Sequence, residues 1–314
     1  MKDFVDLQIN GCHGIDFNVT NLSQQAWAFA CTKLFESGTS RFLPTVITDS
    51  LEAMVGKIER LADFCEQKWE AGSQPIGIHI EGPFISPVPG YIGAHPKSHA
   101  ITASKDTAKR LVDAGRGWVR MVTLAPEMDP NAETIGYLSK QGILVAAGHT
   151  NASVDELRRA IDSGLKCFTH LGNGCPAELP RHDNIIHRVM SLRDALSVTL
   201  IADGFHLPIW MLRMIIDWFG IERTIIVSDA ISAAGLPSGF HTLGSRRVWV
   251  GEDGVPRSED RTHFVGSGAT LDRMLSILQE TALHGKATWS ECDLEKLFRG
   301  NATKLLATSQ SNGR

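Results

Sequence analysis

Short apolar runs rich in Val and Ile alternate with longer amphipathic stretches from the start of the chain onward. Phe4–Ile9, Arg41–Ile47, Ile76–Ile80, Trp118–Leu124, Ile143–Ala147, Lys166–Thr169, Leu196–Ile201 and Thr224–Val227 have the length and β-branched content of buried parallel strands. Helix signals fill the gaps between them. Ser23 opens a stretch through Phe35, Ser50 one through about Trp69, and Ser104 precedes Lys105–Ala114. Asn131 precedes a short helix that ends near Gly142, and Ser153 with Glu156 has the spacing of a capping box, with Gly164 at the stop. Pro208 stands at a helix start before Trp210–Trp218. Helices are also expected around Thr270–Leu283 and Ser290–Leu306.

Eight strands alternating with helices predict an α/β chain closed as a (β/α)8 TIM-type barrel. A doubly wound open sheet is the competing architecture, but no G-x-G-x-x-G turn follows an early strand to support it. The alternation breaks at 239–266. There Arg246–Val250, a turn at Gly251–Gly254 and Pro256–Val265 read as a small β-hairpin insertion. Residues 1–314 are therefore expected to form one barrel domain with that insertion.

Composition narrows the partners more than the fold. A formal net charge of −4 argues against a nucleic-acid partner but leaves room for a small phosphorylated substrate. Six scattered cysteines form no C-x-x-C pair, which suggests reduced, buried thiols. No apolar run is long enough to span a bilayer, and Met1–Asp6 lacks the apolar stretch of a signal peptide. A cytoplasmic location without membrane contact is the expectation.

In a parallel barrel the active site lies at the carboxyl ends of the strands. Here those ends carry Gln8-Ile9-Asn10, His79-Ile80-Glu81, Gly148-His149-Thr150, Thr169-His170-Leu171, Ala202-Asp203-Gly204-Phe205-His206 and Ser228-Asp229-Ala230. A lone His after a strand is usually a satisfied structural residue, and a lone Asp before Ala is usually a helix cap. One Glu, two His and one Asp at four strand ends together ask for a joint explanation. Two neutral imidazoles and a carboxylate suit one divalent metal ion: zinc first, with iron, cobalt and manganese as alternatives. Glu81, His149 and His170 are the candidate ligands. Asp229 is the candidate catalytic group, as general base towards water and then general acid towards a leaving amine. This combination hydrolyses an amide or an ester.

The order Glu-Gly-Pro, Gly-His-Thr-Asn, Thr-His-Leu-x-Asn, Ala-Asp-Gly-x-His, Ser-Asp-Ala resembles the N-acetylglucosamine-6-phosphate deacetylase family of the amidohydrolase superfamily, from Asp6 to Asn301. The resemblance implies hydrolysis of the N-acetyl group of N-acetylglucosamine 6-phosphate or a close acetylated amino sugar. It implies the same three metal ligands and Asp229 as acid/base, with His95 beside Ala94 polarising the acetyl carbonyl. Asn173 and Gly174 match contacts to the sugar phosphate, and Asp203 with His206 a stretch that contacts sugar hydroxyls. Phe264, Val265 and Gly266 match the sugar-pocket wall. Arg181 matches an arginine that reaches a neighbouring subunit's substrate, which implies a homodimer.

The chain also departs from the family pattern. Gln8 and Asn10 stand where many superfamily members carry a His-x-His pair, so one metal is expected rather than two. The family's accessory β-sandwich, built from both chain ends, is expected to be mostly missing. Gly172, Gly174 and Cys175 are smaller than the residues typical of the phosphate loop, and Asp183 adds negative charge beside it. Two other readings stay open at this stage. One is an amidohydrolase for another N-acyl or cyclic amide, and the other a catalytically silent sugar-binding barrel.

Overall fold

The structure is a computed structural model that describes residues 2–67, 72–243, 246–261, 264–283 and 289–311. Eight strands form its centre: β1 (Phe4–Ile9), β2 (Thr39–Ile47), β3 (Ile78–Glu81), β4 (Val119–Leu124), β5 (Leu144–Ala147), β6 (Leu165–Phe168), β7 (Ser197–Leu200) and β8 (Thr224–Ile226). Each pairs in parallel with the next. Between β8 and β1 the ring closes through a bridge from Ile9 to Ala230. There Asp229 N donates to Gln8 O at 2.9 Å and Asn10 N to Ala230 O at 2.7 Å. The predicted TIM-type barrel is the observed one.

Most predicted strands are displaced by a residue or two. The third differs for a physical reason. Gly77, at φ +152°, kinks the chain, and a Cβ there would lie 2.1 Å from the Arg120 side chain. Gln74–Pro75 pair with β2 before the kink, and β3 proper begins after it and includes Glu81.

Helices α1 (Gln24–Glu36), α2 (Leu51–Glu66) and α3 (Lys105–Ala114) start on the predicted caps Ser23, Ser50 and Ser104. The predicted end of the second at Trp69 lies outside the described residues. Helix α4 (Glu133–Lys140) is not capped by Asn131. Its N-cap is Ala132 in a left-handed conformation, and Asp129 Oδ2 accepts the Ile135 N–H at 2.9 Å instead. Helix α5 (Val154–Asp162) has the predicted Ser153–Glu156 capping box. Helix α6 (Ile185–Met190), capped by Asn184, was not foreseen, because six residues are too few to display a 3.6-residue period. Helix α7 (Ile209–Phe219) follows Pro208 as expected.

Beyond β8 the insertion has three antiparallel strands where two were expected: β9 (Gly239–Leu243), β10 (Arg246–Val250) and β11 (Pro256–Ser258). Phe264 then bridges back to Arg257, and Ser267 pairs with Ala230 beside the barrel mouth. Helix α8 (Leu271–Leu283) follows. The expected final helix is broken into α9 (Glu291–Glu295), a π-helical turn at Lys296–Gly300, and α10 (Asn301–Ser311). At the break Asn301 Nδ2 donates to Ile221 O at 2.6 Å and Thr224 O at 2.8 Å, which ties the chain end to the base of β8.

The largely apolar barrel interior includes a buried polar layer. His79 Nε2 meets Thr123 Oγ1 at 2.8 Å, and Thr123 Oγ1 meets Thr169 Oγ1 at 2.8 Å. His79 Nδ1 lies 3.4 Å from Thr45 Oγ1. Burial pushes His79 down to about 4, so it is a neutral crosslink beneath the strand ends. Outside the barrel, Trp27 of α1 stacks on Phe64 of α2 with ring centroids 4.7 Å apart. No helix among the described residues is long and apolar enough to cross a membrane.

Candidate active site

Where the strands end, their backbones turn sharply. His149, His170 and Asp229 all have left-handed φ angles, +52°, +35° and +45°. For residues with a Cβ this conformation costs free energy and persists where the surroundings hold it. Here the turns aim all three side chains towards Glu81, at the end of β3.

Glu81 is the hub. Its Oε1 lies 3.0 Å from His170 Nε2 and 3.5 Å from His149 Nε2, while His95 Nε2 is 3.7 Å from Oε2. Ligand atoms about 2.0–2.1 Å from a tetrahedral metal stand roughly 3.3 Å apart, so these spacings fit a shared cation. The hydrogen bond on the far side of His149 agrees. Its Nδ1 donates to Tyr91 O at 2.8 Å, which leaves the Nε2 lone pair facing Glu81. The His170 backbone is fixed by its N–H, which donates to Thr199 Oγ1 at 2.7 Å.

The group of three donors that the structure brings mutually close differs from the expected set, with His95 where His170 was expected. Glu81, His95 and His149 offer donor atoms that all lie within 4.8 Å of one another. His95 comes from the loop after β3 and packs edge-on against His149, with ring centroids 4.4 Å apart. Its Nδ1 lies 3.0 Å from Thr48 Oγ1, which is also 3.2 Å from Glu81 O. The Thr48 hydroxyl has a single proton. If that proton goes to His95, Nε2 carries its own hydrogen and is a donor; if it goes to Glu81 O, Nε2 is bare.

Burial and neighbouring charge set the protonation states. Burial would raise the Glu81 carboxyl, but His149 and His170 outweigh it and hold it well below the usual range. Burial pulls His170 down, and Glu81 with Asp229 more than restores it, for a net upward shift. His95 falls to about 3, through burial and then His149, and is neutral. Burial, and after it the Glu81 charge, push Asp229 up to about 6.

Gln8 and Asn10, foreseen as poor metal ligands, are hydrogen-bond donors in the structure. Gln8 Nε2 donates to Glu81 Oε1 at 3.0 Å and Asp229 Oδ1 at 3.1 Å, and Asn10 Nδ2 donates to Asp229 Oδ1 at 2.9 Å. They hold the two carboxylates in fixed relation.

Asn10, Glu81, His95, His149, His170 and Asp229 line a cavity of about 420 Å³. Ala94, Asn173, Gly174, His206, Phe264, Val265 and Gly266 all line it. Gly174 is forced by the site itself: at φ +63°, an added Cβ would lie 3.0 Å from His149 Nδ1. Asp203 is not in the wall; its Oδ2 grips His206 Nδ1 at 2.7 Å and its Oδ1 accepts the Phe205 and His206 N–H groups. Arg181 is exposed and outside the cavity. Asp183 points its charge at Arg188 Nε, 2.6 Å away.

The sequence reading missed Asp16, Asn18 and Val248, which also line the cavity, and Thr48, which holds His95. Asp16 and Thr48 follow β1 and β2 closely, so the rule of strand ends would have reached them. Val248 belongs to β10 of the insertion, and nothing local in the sequence shows that this sheet folds over the barrel mouth.

No family model matches the chain. Among curated proteins, it is 29% identical to the N-acetylglucosamine-6-phosphate deacetylase of Bacillus subtilis, over 100% of this chain and 76% of that one. It is 33% identical to the enzyme of that name from Danio rerio, over 89% and 69% of the two chains. The chain belongs to the N-acetylglucosamine-6-phosphate deacetylase family. Solved structures of the family superpose over nearly the whole molecule. A variant of the Mycobacterium smegmatis deacetylase in complex with N-acetyl-D-glucosamine-6-phosphate matches with a TM-score of 0.85 at 27% identity, covering 98% of this chain and 77% of that one. The Thermotoga maritima deacetylase matches with a TM-score of 0.81 at 30% identity, covering 98% and 79%. These family members are longer than the present chain.

Proposed function

We propose that this deacetylase-family barrel removes the acetyl group of N-acetylglucosamine 6-phosphate, releasing acetate and the amino-sugar phosphate. One observation carries the reading: a Glu-His-His donor set and a half-buried carboxylate share the lining of a sugar-sized cavity. Glu81, His149 and His170 would hold the divalent metal ion, and two nitrogens with one oxygen favour zinc. When bound, that ion supplies Lewis-acid polarisation and a more acidic water.

The chain's own residues do the rest. Asp229, raised to about 6, takes a proton from the attacking water and returns it to the departing nitrogen. Gln8 and Asn10 fix its Oδ1, so the proton is carried on the other oxygen. His95, neutral and protonated on Nε2 when Thr48 gives it a hydrogen bond, polarises the acetyl carbonyl. Asp203 orients His206 towards the sugar, and Asn173, Gly174, Phe264, Val265 and Gly266 form the pocket around it.

Among the described residues no Lys or Arg lines the cavity. That leaves the sugar phosphate without a full counter-charge inside one chain. We therefore assign that role to Arg181 of a second copy in a homodimer. The chain is read as one barrel unit, residues 1–314, with the insertion at about 239–266. A cytoplasmic location fits its free cysteines, four of them buried. Chelator-sensitive acetate release from N-acetylglucosamine 6-phosphate tests the reading; failure of metal-loaded protein to release acetate would reject it.

A further inference from the structure

The seam between β1 and β8 is where the barrel closes, and it is held differently from the other seven junctions. No regular ladder joins these two strands among the described residues; Ile9 and Ala230 form a single bridge. Near that bridge a side chain joins the two strands. Asp6 Oδ1 accepts the Gln8 N–H and the Ser228 N–H, each at 3.2 Å. One carboxylate oxygen thus ties a backbone group of the first strand to one at the end of the last. Ser228 Oγ also donates to Gln8 O at 3.3 Å, and its neighbour's N–H, that of Asp229, donates to the same carbonyl at 2.9 Å. Asp6 is 1% exposed and has no cation partner among the described residues. A buried acid without a cation is costly to keep.

What the tie secures is the catalytic carboxylate. Asp229 follows Ser228 directly, in a left-handed turn at φ +45°. Such a turn lasts only while its flanks are over-determined. Its Oδ1 is also held by Gln8 Nε2, and the Gln8 backbone is itself anchored on Asp6. We propose that Asp6 is a positioning residue for Asp229, clamping Gln8 and Ser228 across the seam so that the turn, and the donor that fixes it, keep their place. The inference rests on the acid/base role given to Asp229 above. Asp6 touches neither substrate nor metal ligands and acts through its neighbours.

The test compares Asp6→Ala with Asp6→Asn in metal-loaded enzyme. Asparagine keeps an oxygen at the same position and can accept both N–H groups; alanine cannot. Misplacing a reacting group by about 1 Å costs on the order of 10²-fold. Asp6→Ala should lower kcat on that order, with KM within about twofold and bound metal unchanged. Asp6→Asn should restore most of the turnover. Hydrogen exchange at 226–231 should quicken in the alanine variant and not in the asparagine variant. If the alanine chain does not fold, Asp6→Ser, too short to bridge both groups, takes its place in the comparison. Unchanged kcat per folded, metal-loaded site would overturn the proposal, as would unchanged exchange at 226–231. Equal loss in the asparagine and alanine variants would also overturn it, by pointing to charge rather than placement. A wild-type enzyme that releases no acetate would reject the deacetylase reading, while the exchange comparison would still decide the role of Asp6.

Discussion

Replacing Asp229 with asparagine separates its chemistry from its place in the structure. Oδ1 accepts from Gln8 Nε2 and Asn10 Nδ2, and an asparagine carbonyl can accept both bonds unchanged. The amide nitrogen then stands where the second carboxylate oxygen was and can neither take nor return a proton. General acid–base catalysis is worth about 10²–10⁴-fold, or roughly 3–5 kcal/mol of barrier at 1.36 kcal/mol per tenfold. Asp229→Asn should therefore lower kcat for acetate release by that factor. KM and metal content should be little changed, because the deleted group is not among the assigned ligands. Acetate release measured on protein of known metal content is the assay. A kcat within about threefold of the parent would refute the role of Asp229.

Three further outcomes test other parts of the site. His170→Ala should weaken metal binding by more than the ~10–100-fold that changes behind the ligands cost, whereas His95→Ala should keep its metal and lose turnover; the opposite pattern in a chelator titration would move His95 into the ligand set. Arg181→Ala should raise KM for N-acetylglucosamine 6-phosphate by about tenfold, the scale of one charge-assisted hydrogen bond, with a smaller effect on kcat; an unchanged KM would reject its phosphate role. Burial pushes Asp6 up to about 7, so the folded chain keeps a proton that the unfolded chain gives up near pH 4, and stability should fall as pH rises from about 4 to about 7. About three units at 1.36 kcal/mol each make this roughly 4 kcal/mol, which Asp6→Asn should remove; parallel stability–pH curves for the two metal-free proteins would contradict that burial.

The barrel could be read from the sequence because the parallel strands are largely buried on both faces, and eight such runs alternate with helices of which several open on serine caps. The ligands and Asp229 could be read because a barrel collects its strand ends at one mouth, so chain order becomes spatial proximity. What stayed hidden depends on backbone geometry. Gln8 and Asn10 look in sequence like a lost metal site, and their work as donors to Asp229 and Glu81 appears only once the seam is closed. His95 comes from a loop, where no periodicity fixes direction; only the fold brings it within 3.7 Å of Glu81. Val248 reaches the cavity because the insertion folds back over the mouth, a long-range contact with no local signature.

Acetate release from N-acetylglucosamine 6-phosphate, with N-acetylglucosamine in parallel and with and without chelator, tests the central claim most directly. The account predicts release that chelator abolishes and that favours the phosphorylated sugar. No release from either sugar, in protein shown to carry metal, would contradict it.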